Sequence, residues 1–250
     1  MIDTHIHLIP GVDDGAKDLA EAARMLAFAS NEGVNEMILT PHFNSTLYRD
    51  KNVEKAFRLI KDYIASRKLE MKIHLGNEIY LNEEDYACIK NGQAHTMGDS
   101  RYLLLELPFF HFYPFHEMMI QELQCSEYKI VLAHAERYAV FEKKPEKLRE
   151  LVKNGVYMQM TSGYIMDKKT RKKALKWVED GLVHMVASDG HDVEGRPPVM
   201  KMAFEIVAGT FGNPCAERLF NDNPGLLIED RELMAAPIKK AKRFAWPKRY

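Results

Sequence analysis

Residues 1–40 read MIDTHIHLIPGVDDGAKDLAEAARMLAFASNEGVNEMILT, and this stretch contains a pattern that indicates the fold class. A short β-rich run over 1–6 is followed by a helical pattern over 18–31, in which apolar residues recur every three to four positions. A second β-rich run covers 34–40, directly after Gly33, which has the position of a helix C-cap. A helix between two such runs is typical of a β-α-β unit with parallel strands.

The same alternation continues along the chain. Further strands are predicted over 71–77, 102–107, 129–133, 156–160 and 182–187, which makes seven, and further helices over 52–67, 145–153 and 168–180. No internal repeat or linker divides the chain, and its 250 residues suit one α/β barrel. We therefore predict a single distorted, TIM-like parallel β/α barrel over 1–230, followed by a basic extension over 231–250. An open, doubly wound sheet is the alternative.

Composition excludes several classes of protein. The hydrophobic fraction of 46% and the charged fraction of 28% are those of an ordinary globule, and no apolar run approaches the roughly 20 residues that a membrane helix needs. The three cysteines, Cys88, Cys125 and Cys215, are odd in number and far apart, which favours a reducing cytoplasm over a disulfide framework. We predict a cytoplasmic protein with no membrane span and no nucleic-acid partner. Residues 239–250 contain six Lys/Arg and no acid, and a solvated end is preferred there over contact with an acidic partner.

Residues that can bind metal recur where the predicted strands end, and only the strand over 156–160 lacks one. In a parallel barrel these ends meet at one face, where barrel enzymes place their active sites. The residues are His5, His7, His42, Glu78, Glu106, His134, Asp189 and His191.

Each of these residues alone has an ordinary structural explanation. A single histidine is more often structural than a ligand, and a carboxylate such as Glu78 or Glu106 among strand apolars could form a buried salt bridge. The recurrence at six strand ends is better explained by metal binding. Imidazole and carboxylate ligands without thiolate suit manganese, iron or zinc, and there are too many for one ion. Several cations held close together favour in-line displacement at phosphorus, so we predict phosphoester hydrolysis.

Two arginines support a phosphate substrate. Arg137 follows His134 by three residues, and Arg196 follows His191 by five, so both lie on loops just past strand ends. A guanidinium group matches phosphate oxygens in a two-pronged geometry that lysine cannot reproduce. The alternative for each is a solvated or salt-bridged loop arginine. The aromatic stretch over 109–116 could wall a pocket for a phenyl ring, although core packing is the preferred interpretation.

Together the motifs resemble the PHP (polymerase and histidinol phosphatase) superfamily, and within it the bacterial manganese-dependent protein-tyrosine phosphatases of capsule and exopolysaccharide operons. They run from residue 1 to about residue 228 in the order of that family. The motifs are MIDTHIH at 1–7, DDG at 13–15, TPH at 40–42, GNEIY at 76–80, Glu106, HAERY at 134–138, SDGH at 188–191 and GRPP at 195–198.

The resemblance implies a barrel of PHP type with three divalent cations, manganese first, with iron or zinc as alternatives. By matching motif, His5, His7, Glu78 and Asp189 would hold one ion, and Glu78 would bridge to a second held by Glu106 and His134. The third ion would be held by Asp14, His42 and His191. Asp14 escapes the strand-end argument because it lies in a loop, next to Asp13. Arg137 and Arg196 match phosphate-binding arginines of the family.

The resemblance also implies a substrate, phosphotyrosine on a protein, with the tyrosine-rich tail of a membrane-associated bacterial kinase as the expected partner. A small-molecule phosphatase of histidinol-phosphate type on the same site is the alternative. A catalytically silent scaffold is a third interpretation, which the complete set of motif residues disfavours. A thiol-based phosphatase is excluded, because Ala94, Val131 and Asn221 stand six positions after the three cysteines, where an arginine would be required.

Overall fold

The structure is a computed structural model and describes residues 1–44 and 52–238. The strands are β1 (Ile2–Ile6), β2 (Glu36–Leu39), β3 (His42–Phe43), β4 (Lys72–Leu75), β5 (Glu78–Tyr80), β6 (Tyr102–Glu106), β7 (Lys129–Leu132), β8 (Tyr157–Thr161) and β9 (Met185–Ala187). The helices are α1 (Leu19–Asn31), α2 (Val53–Arg67), α3 (Glu83–Lys90), α4 (Pro114–Cys125), α5 (Ala139–Lys143), α6 (Pro145–Lys153), α7 (Ser162–Met166), α8 (Arg171–Glu179), α9 (Lys201–Phe211), α10 (Asn213–Glu217) and α11 (Asn223–Ile228). Short 3₁₀ turns lie at Met97–Asp99 and Ala135–Arg137, and a π-helical turn joins α10 to α11.

All paired strands are parallel and curl into a barrel. One sheet has the order β1-β2-β4 and the other the order β3-β5-β6-β7-β8-β9. The last strand returns to the first, because the Asp189 N–H donates to the His5 carbonyl at 2.8 Å and the His7 N–H donates to the Gly190 carbonyl at 2.9 Å. The predicted parallel β/α barrel is therefore confirmed, and the open doubly wound alternative is wrong.

Seven strand regions are found where seven were predicted, but two of them are broken. The region over 34–40 continues past Pro41 into β3, and the region over 71–77 continues past Gly76 into β5. Pro41 has no N–H to donate, and its carbonyl instead accepts the Glu78 N–H at 3.1 Å. Glu78 and His42 were expected after strand ends. They instead begin new short strands and are paired in register with each other.

The barrel interior is apolar below the site. Side chains from the strands, including Ile38, Leu104 and Val131, form a buried cluster with Leu227 and Leu233 from the C-terminal part of the chain. A larger cluster fills the layer between the strands and the surrounding helices. The cluster residues Leu227 and Leu233 follow the last strand, so this part of the chain helps to form the interior.

The described part of the predicted extension, 231–238, contains no helix or strand but lies against the barrel. The Tyr102 hydroxyl donates to the Arg231 carbonyl at 2.6 Å. The side-chain amide of Asn223 donates to the Met234 carbonyl at 3.0 Å and accepts the Met234 N–H at 2.8 Å. A Cβ at Gly181 would lie 2.8 Å from the Pro237 carbonyl oxygen, so this contact requires glycine. The boundary at 230 stays a prediction, and the basic residues over 239–250 lie outside the described residues.

The four predicted helices are present with small shifts at their ends. Asp18 caps α1 by accepting the Glu21 N–H at 2.8 Å, which is the role that Asp favours at this position. Gly33, which was expected as a helix C-cap, has a positive φ, and so do Gly155 and Gly181, which follow the ends of α6 and α8. Within the described ranges, we find no helix that is both long and apolar enough to cross a membrane.

Candidate metal centre

The ends of the strands bring the predicted ligands together at one face of the barrel. His5 lies on β1 and His7 directly follows this strand. The two side chains point to the same side, and their Nε2 atoms lie 3.1 Å apart. Both atoms face Glu78 Oε2, at 3.1 and 3.2 Å. Asp189 Oδ1 lies 3.4 Å from His5 Nε2 and 3.5 Å from His7 Nε2. These four residues are buried, and one ligand atom from each falls within 4.8 Å of the others.

Two further groups of potential ligands adjoin the first. His7, Asp14, His42 and His191 form one group, and His42, Glu78 and Glu106 form the other, by the same distance limit. His134 Nε2 lies 2.6 Å from Glu78 Oε1 and 3.6 Å from Glu106 Oε1. The structure therefore brings all nine residues predicted as ligands into one cluster.

Several polar atoms of this cluster are buried and, although they lie close to other cluster atoms, they form no hydrogen bond among the described residues. They include Glu78 Oε2, Asp189 Oδ1 and His191 Nε2. An unsatisfied buried acceptor costs about 1–3 kcal/mol, more when it is charged. Such atoms, converging from different strands, fit the ligand shell of divalent cations, which carboxylate and imidazole groups together suit.

The two neighbouring glutamates of the cluster differ in their pKa values. Burial raises the pKa of Glu78, but His5 and His134 outweigh this effect and hold it well below its usual range. The neighbouring Glu106 behaves differently: burial and the charge of Glu78 raise its pKa to about 7. A second carboxylate thus cannot ionise easily beside the first unless positive charge is added. Divalent cations would supply that charge.

Two polar residues that the sequence did not identify as functional orient the histidines. His7 Nδ1 lies 2.7 Å from Asp13 Oδ2, and His5 Nδ1 lies 2.8 Å from Gln159 Oε1. Each contact leaves the Nε2 atom of the histidine facing the centre, as in metal sites where a carboxylate or amide supports a ligating imidazole. Gln159 lies on β8, the strand that lacked a ligand, and a polar residue in that apolar run was the available signal.

The loop after β1 places its two neighbouring aspartates in different roles. Asp13 faces the backbone and accepts the His42 and Gly15 N–H groups, both at 3.0 Å. Asp14 faces the cluster, with Oδ1 at 3.4 Å from His42 Nε2 and 3.5 Å from His191 Nε2. A Cβ at Gly15 would lie 2.0 Å from the His7 carbonyl oxygen, so the close return of the loop depends on glycine.

Two of the predicted ligands have unusual backbone conformations. His134 and Asp189 have φ values of 32° and 56°, in the left-handed region that non-glycine residues seldom adopt. Such residues cost of the order of 1–3 kcal/mol and persist only where surrounding contacts hold them. For Asp189, those contacts include the bonds from the preceding Ser188, whose hydroxyl and N–H both donate to the buried Asp3 carboxylate.

Arg137 and Arg196 lie together at the edge of the cluster. Their guanidinium Nη2 atoms lie 2.5 and 2.7 Å from the same atom, Asp189 Oδ2. Both side chains are partly open to solvent, with exposed fractions of 37% and 41%. The sequence predicted their position near the site but not their shared contact with a predicted ligand.

The contact between Asp13 and His7 yields a testable prediction. Replacing Asp13 with Asn keeps the shape of the side chain but leaves only one oxygen that can accept hydrogen bonds. In the wild type both carboxylate oxygens accept, one from the Gly15 N–H and the other from the His42 N–H and His7. We expect affinity for Mn²⁺ to fall by about ten- to a hundredfold, the usual effect of removing a partner that orients a ligand. Titration calorimetry would measure it. The control is Asp18→Asn, since Asn also caps helices well. Unchanged affinity in a folded Asp13→Asn protein would contradict the orienting role.

Comparison with known proteins places this architecture in a family. Residues 1–229 match the model of the capsular polysaccharide synthesis family CpsB/CapC. The chain is 33% identical to the tyrosine-protein phosphatase YwqE of Bacillus subtilis, over 97% of each protein. It is 30% identical to the tyrosine-protein phosphatase CpsB of Streptococcus pneumoniae, over 92% of this chain and 99% of that one.

A solved structure agrees with these relatives. It belongs to a study of YwqE from Bacillus subtilis and CpsB from Streptococcus pneumoniae, described there as unique metal-dependent tyrosine phosphatases. It superimposes with a TM-score of 0.90 and 31% sequence identity, covering 97% of this chain and 100% of that one. With the family model matching residues 1–229, this chain belongs to the CpsB/CapC family of capsular polysaccharide synthesis proteins.

Proposed function

We propose that this protein is a metal-dependent protein-tyrosine phosphatase of capsule or exopolysaccharide synthesis. The observation that carries the proposal is the cluster of nine imidazole and carboxylate residues, most of them buried, with two arginines at its edge. Relatives that align over nearly the whole chain are tyrosine-protein phosphatases, and a matching structure is of a metal-dependent one. The family and the chemistry of the site thus support the same activity.

We propose the assignment of ligands that the family resemblance implies, and the short distances within the cluster support it. His5, His7, Glu78 and Asp189 would hold one cation, Glu78 with Glu106 and His134 a second, and Asp14, His42 and His191 a third. Manganese is the ion we propose, and iron or zinc would suit the same ligands. Such cations supply positive charge to phosphoryl oxygens and activate water as a nucleophile at neutral pH.

The side chains of the protein then have distinct tasks. Asp13 and Gln159 orient the ligating histidines, and the two arginines are placed to bind phosphoryl oxygens that approach Asp189 from the solvent. Binding of phosphate there would replace or share the arginine contacts with Asp189 Oδ2. The phenol of tyrosine has a pKa of about 10, so it leaves with less help from an acid than an alkanol needs.

The proposed substrate is a phosphotyrosyl protein, and we infer a membrane-associated bacterial tyrosine kinase as its source. The open edge of the site supports a protein substrate, because both arginines are partly exposed rather than enclosed. We place the activity in the cytoplasm, which the odd number and wide spacing of the three cysteines suit.

A comparison of substrates tests the proposed function. Purified protein would be assayed on a phosphotyrosyl peptide and on histidinol phosphate, with added Mn²⁺ and after exhaustive chelation. We expect the peptide to be preferred and its hydrolysis to need the metal, while alkylation of the cysteines leaves the rate unchanged. A preference for histidinol phosphate would favour the small-molecule alternative, and full activity after chelation would exclude the metal mechanism.

The arginines yield a separate prediction. Arg137→Ala and Arg196→Ala should each lower kcat/KM for the peptide by about ten- to a hundredfold, because a charged hydrogen bond contributes about 1.5–3 kcal/mol. Arg→Lys should restore little, since lysine cannot make the two-pronged contact. Bound Mn²⁺ and melting temperature should stay near wild type, because neither arginine is a proposed ligand.

The control for these variants is Arg24→Ala. Arg24 lies on α1 with a largely exposed side chain, so its loss should leave kinetics and stability unchanged. If both site variants melt much earlier or keep wild-type kcat/KM, their contact with Asp189 is structural and they do not bind phosphate.

A further inference from the structure

A patch of exposed aromatic side chains follows β6 directly. Among the described residues, every Phe, Tyr or Trp that is exposed falls within 109–115. Phe110 is 78% exposed and Phe109 is 38% exposed. We call the following residues the aromatic patch: Phe109, Phe110, Tyr113, Phe115 and Met118.

Core packing, the preferred interpretation of this stretch from sequence, holds for only part of it. Phe112 packs against the core, with its ring centroid 6.5 Å from that of Phe141. Phe110 points to solvent, where a large apolar side chain gains nothing from burial. Exposed large apolar side chains grouped on one segment mark binding sites more often than scattered ones do. The core therefore does not account for the patch.

The patch is fixed to the metal centre by backbone and ring contacts. The Phe109 carbonyl accepts the Ala139 N–H at 2.8 Å, and the Leu107 N–H donates to the Tyr138 hydroxyl at 3.1 Å. The Phe109 ring centroid lies 5.7 Å from that of His134, a proposed ligand, and 6.1 Å from that of Tyr138. Phe109 thus borders the cluster and also reaches solvent.

The position of Phe109 relative to the proposed phosphate contacts suggests its ligand. Glu106, three residues before it, belongs to the cluster, and Arg137 follows His134 on the turn that packs against the Phe109 loop. A phosphate bound near the cluster and Arg137 would have its ester substituent near Phe109. An aromatic ring binds favourably against another ring in offset or edge-to-face contact.

We propose that Phe109 binds the phenol ring of phosphotyrosine and that the rest of the aromatic patch contacts apolar side chains next to it in the substrate protein. This inference rests on the proposed function and deepens it by assigning selectivity for aryl esters to one loop. Phe109 is a specificity-determining residue in this account and carries no part of the chemistry.

The test uses Phe109→Leu, which keeps an apolar side chain against His134 but removes the ring. With Mn²⁺-loaded protein, KM for phenyl phosphate and for a phosphotyrosyl peptide should rise about three- to tenfold, the range expected for one aromatic pair. The inhibition constant of inorganic phosphate and the bound Mn²⁺ should not change. Phe109→Tyr, which restores a ring, should return KM close to wild type.

Phe110→Ala tests the outer part of the patch. It should raise KM for the peptide more than KM for phenyl phosphate, because only the peptide has residues beside the phosphotyrosine. The matched control is Leu69→Ala. Leu69 is also exposed but precedes β4, at the opposite end of the barrel from the site, so neither KM should change.

Several outcomes would overturn the inference. Unchanged KM values in Phe109→Leu and Phe110→Ala would overturn it. A rise in the inhibition constant of phosphate that matches the rise in KM in Phe109→Leu would also overturn it, because Phe109 would then only support His134. If the wild type self-associates and Phe110→Ala makes it dissociate without changing peptide kinetics, the patch is a contact between copies of this chain and not a substrate contact. An active wild type with any of these results refutes this inference alone. A wild type without phosphatase activity refutes the proposed function as well.

Discussion

Four imidazoles surround one buried carboxylate, and the rest of the site depends on this arrangement. Glu78 Oε2 lies 3.1 Å from His5 Nε2, 3.2 Å from His7 Nε2 and 3.1 Å from His42 Nδ1, while Oε1 lies 2.6 Å from His134 Nε2. An ionised carboxylate in such a position is costly unless positive charge meets it. Protons on His5 and His7, whose pKa values are both raised, can provide that charge. Burial lowers the pKa of His7, but the neighbouring Asp13 outweighs this effect and raises the pKa well above its usual range. Cations compete with these protons for the same nitrogen atoms, so metal binding and protonation are linked.

The barrel makes this arrangement possible by bending its strands where the ligands lie. The strands break at Pro41 and Gly76, and β3 and β5 begin just after these breaks. His42 and Glu78 are therefore paired in register on neighbouring strands. At the closure between the last and first strands, Asp189 adopts a left-handed backbone beside His5. The C-terminal segment contributes Leu233 to the barrel interior, away from the ligands. Distortion of the barrel is therefore concentrated at the proposed ligands, as expected where function rather than stability sets the local geometry.

Sequence alone predicted most of this architecture and the composition of the cluster. Strands and helices alternate with strong periodicity, and in a parallel barrel the ends of strands such as β1 and β7 must converge, so His5 and His134 could be placed together without coordinates. The breaks within two strands could not be predicted, because they involve a hydrogen bond from the Glu78 N–H to the Pro41 carbonyl, and these two residues are distant in sequence. The orienting roles of Asp13 and Gln159 were missed for a similar reason. Their signal is a polar residue in an otherwise ordinary run, and only tertiary contact shows which histidine it meets. The exposure of Phe110 was also hidden, since an aromatic-rich stretch has the same sequence whether it packs inward or outward.

We propose that the nine residues hold divalent cations. It is tested most directly by the metal content of the purified chain after saturation with Mn²⁺ and removal of free ion, compared between wild type and Glu78→Gln. The account predicts about three Mn²⁺ per wild-type chain, in a cluster of the kind used for displacement at phosphorus. We also expect loss of at least two ions in the variant, because Glu78 is itself a proposed ligand of two of the cations. A folded wild-type chain that binds no divalent cation, or a Glu78→Gln chain that retains the full number, would contradict it.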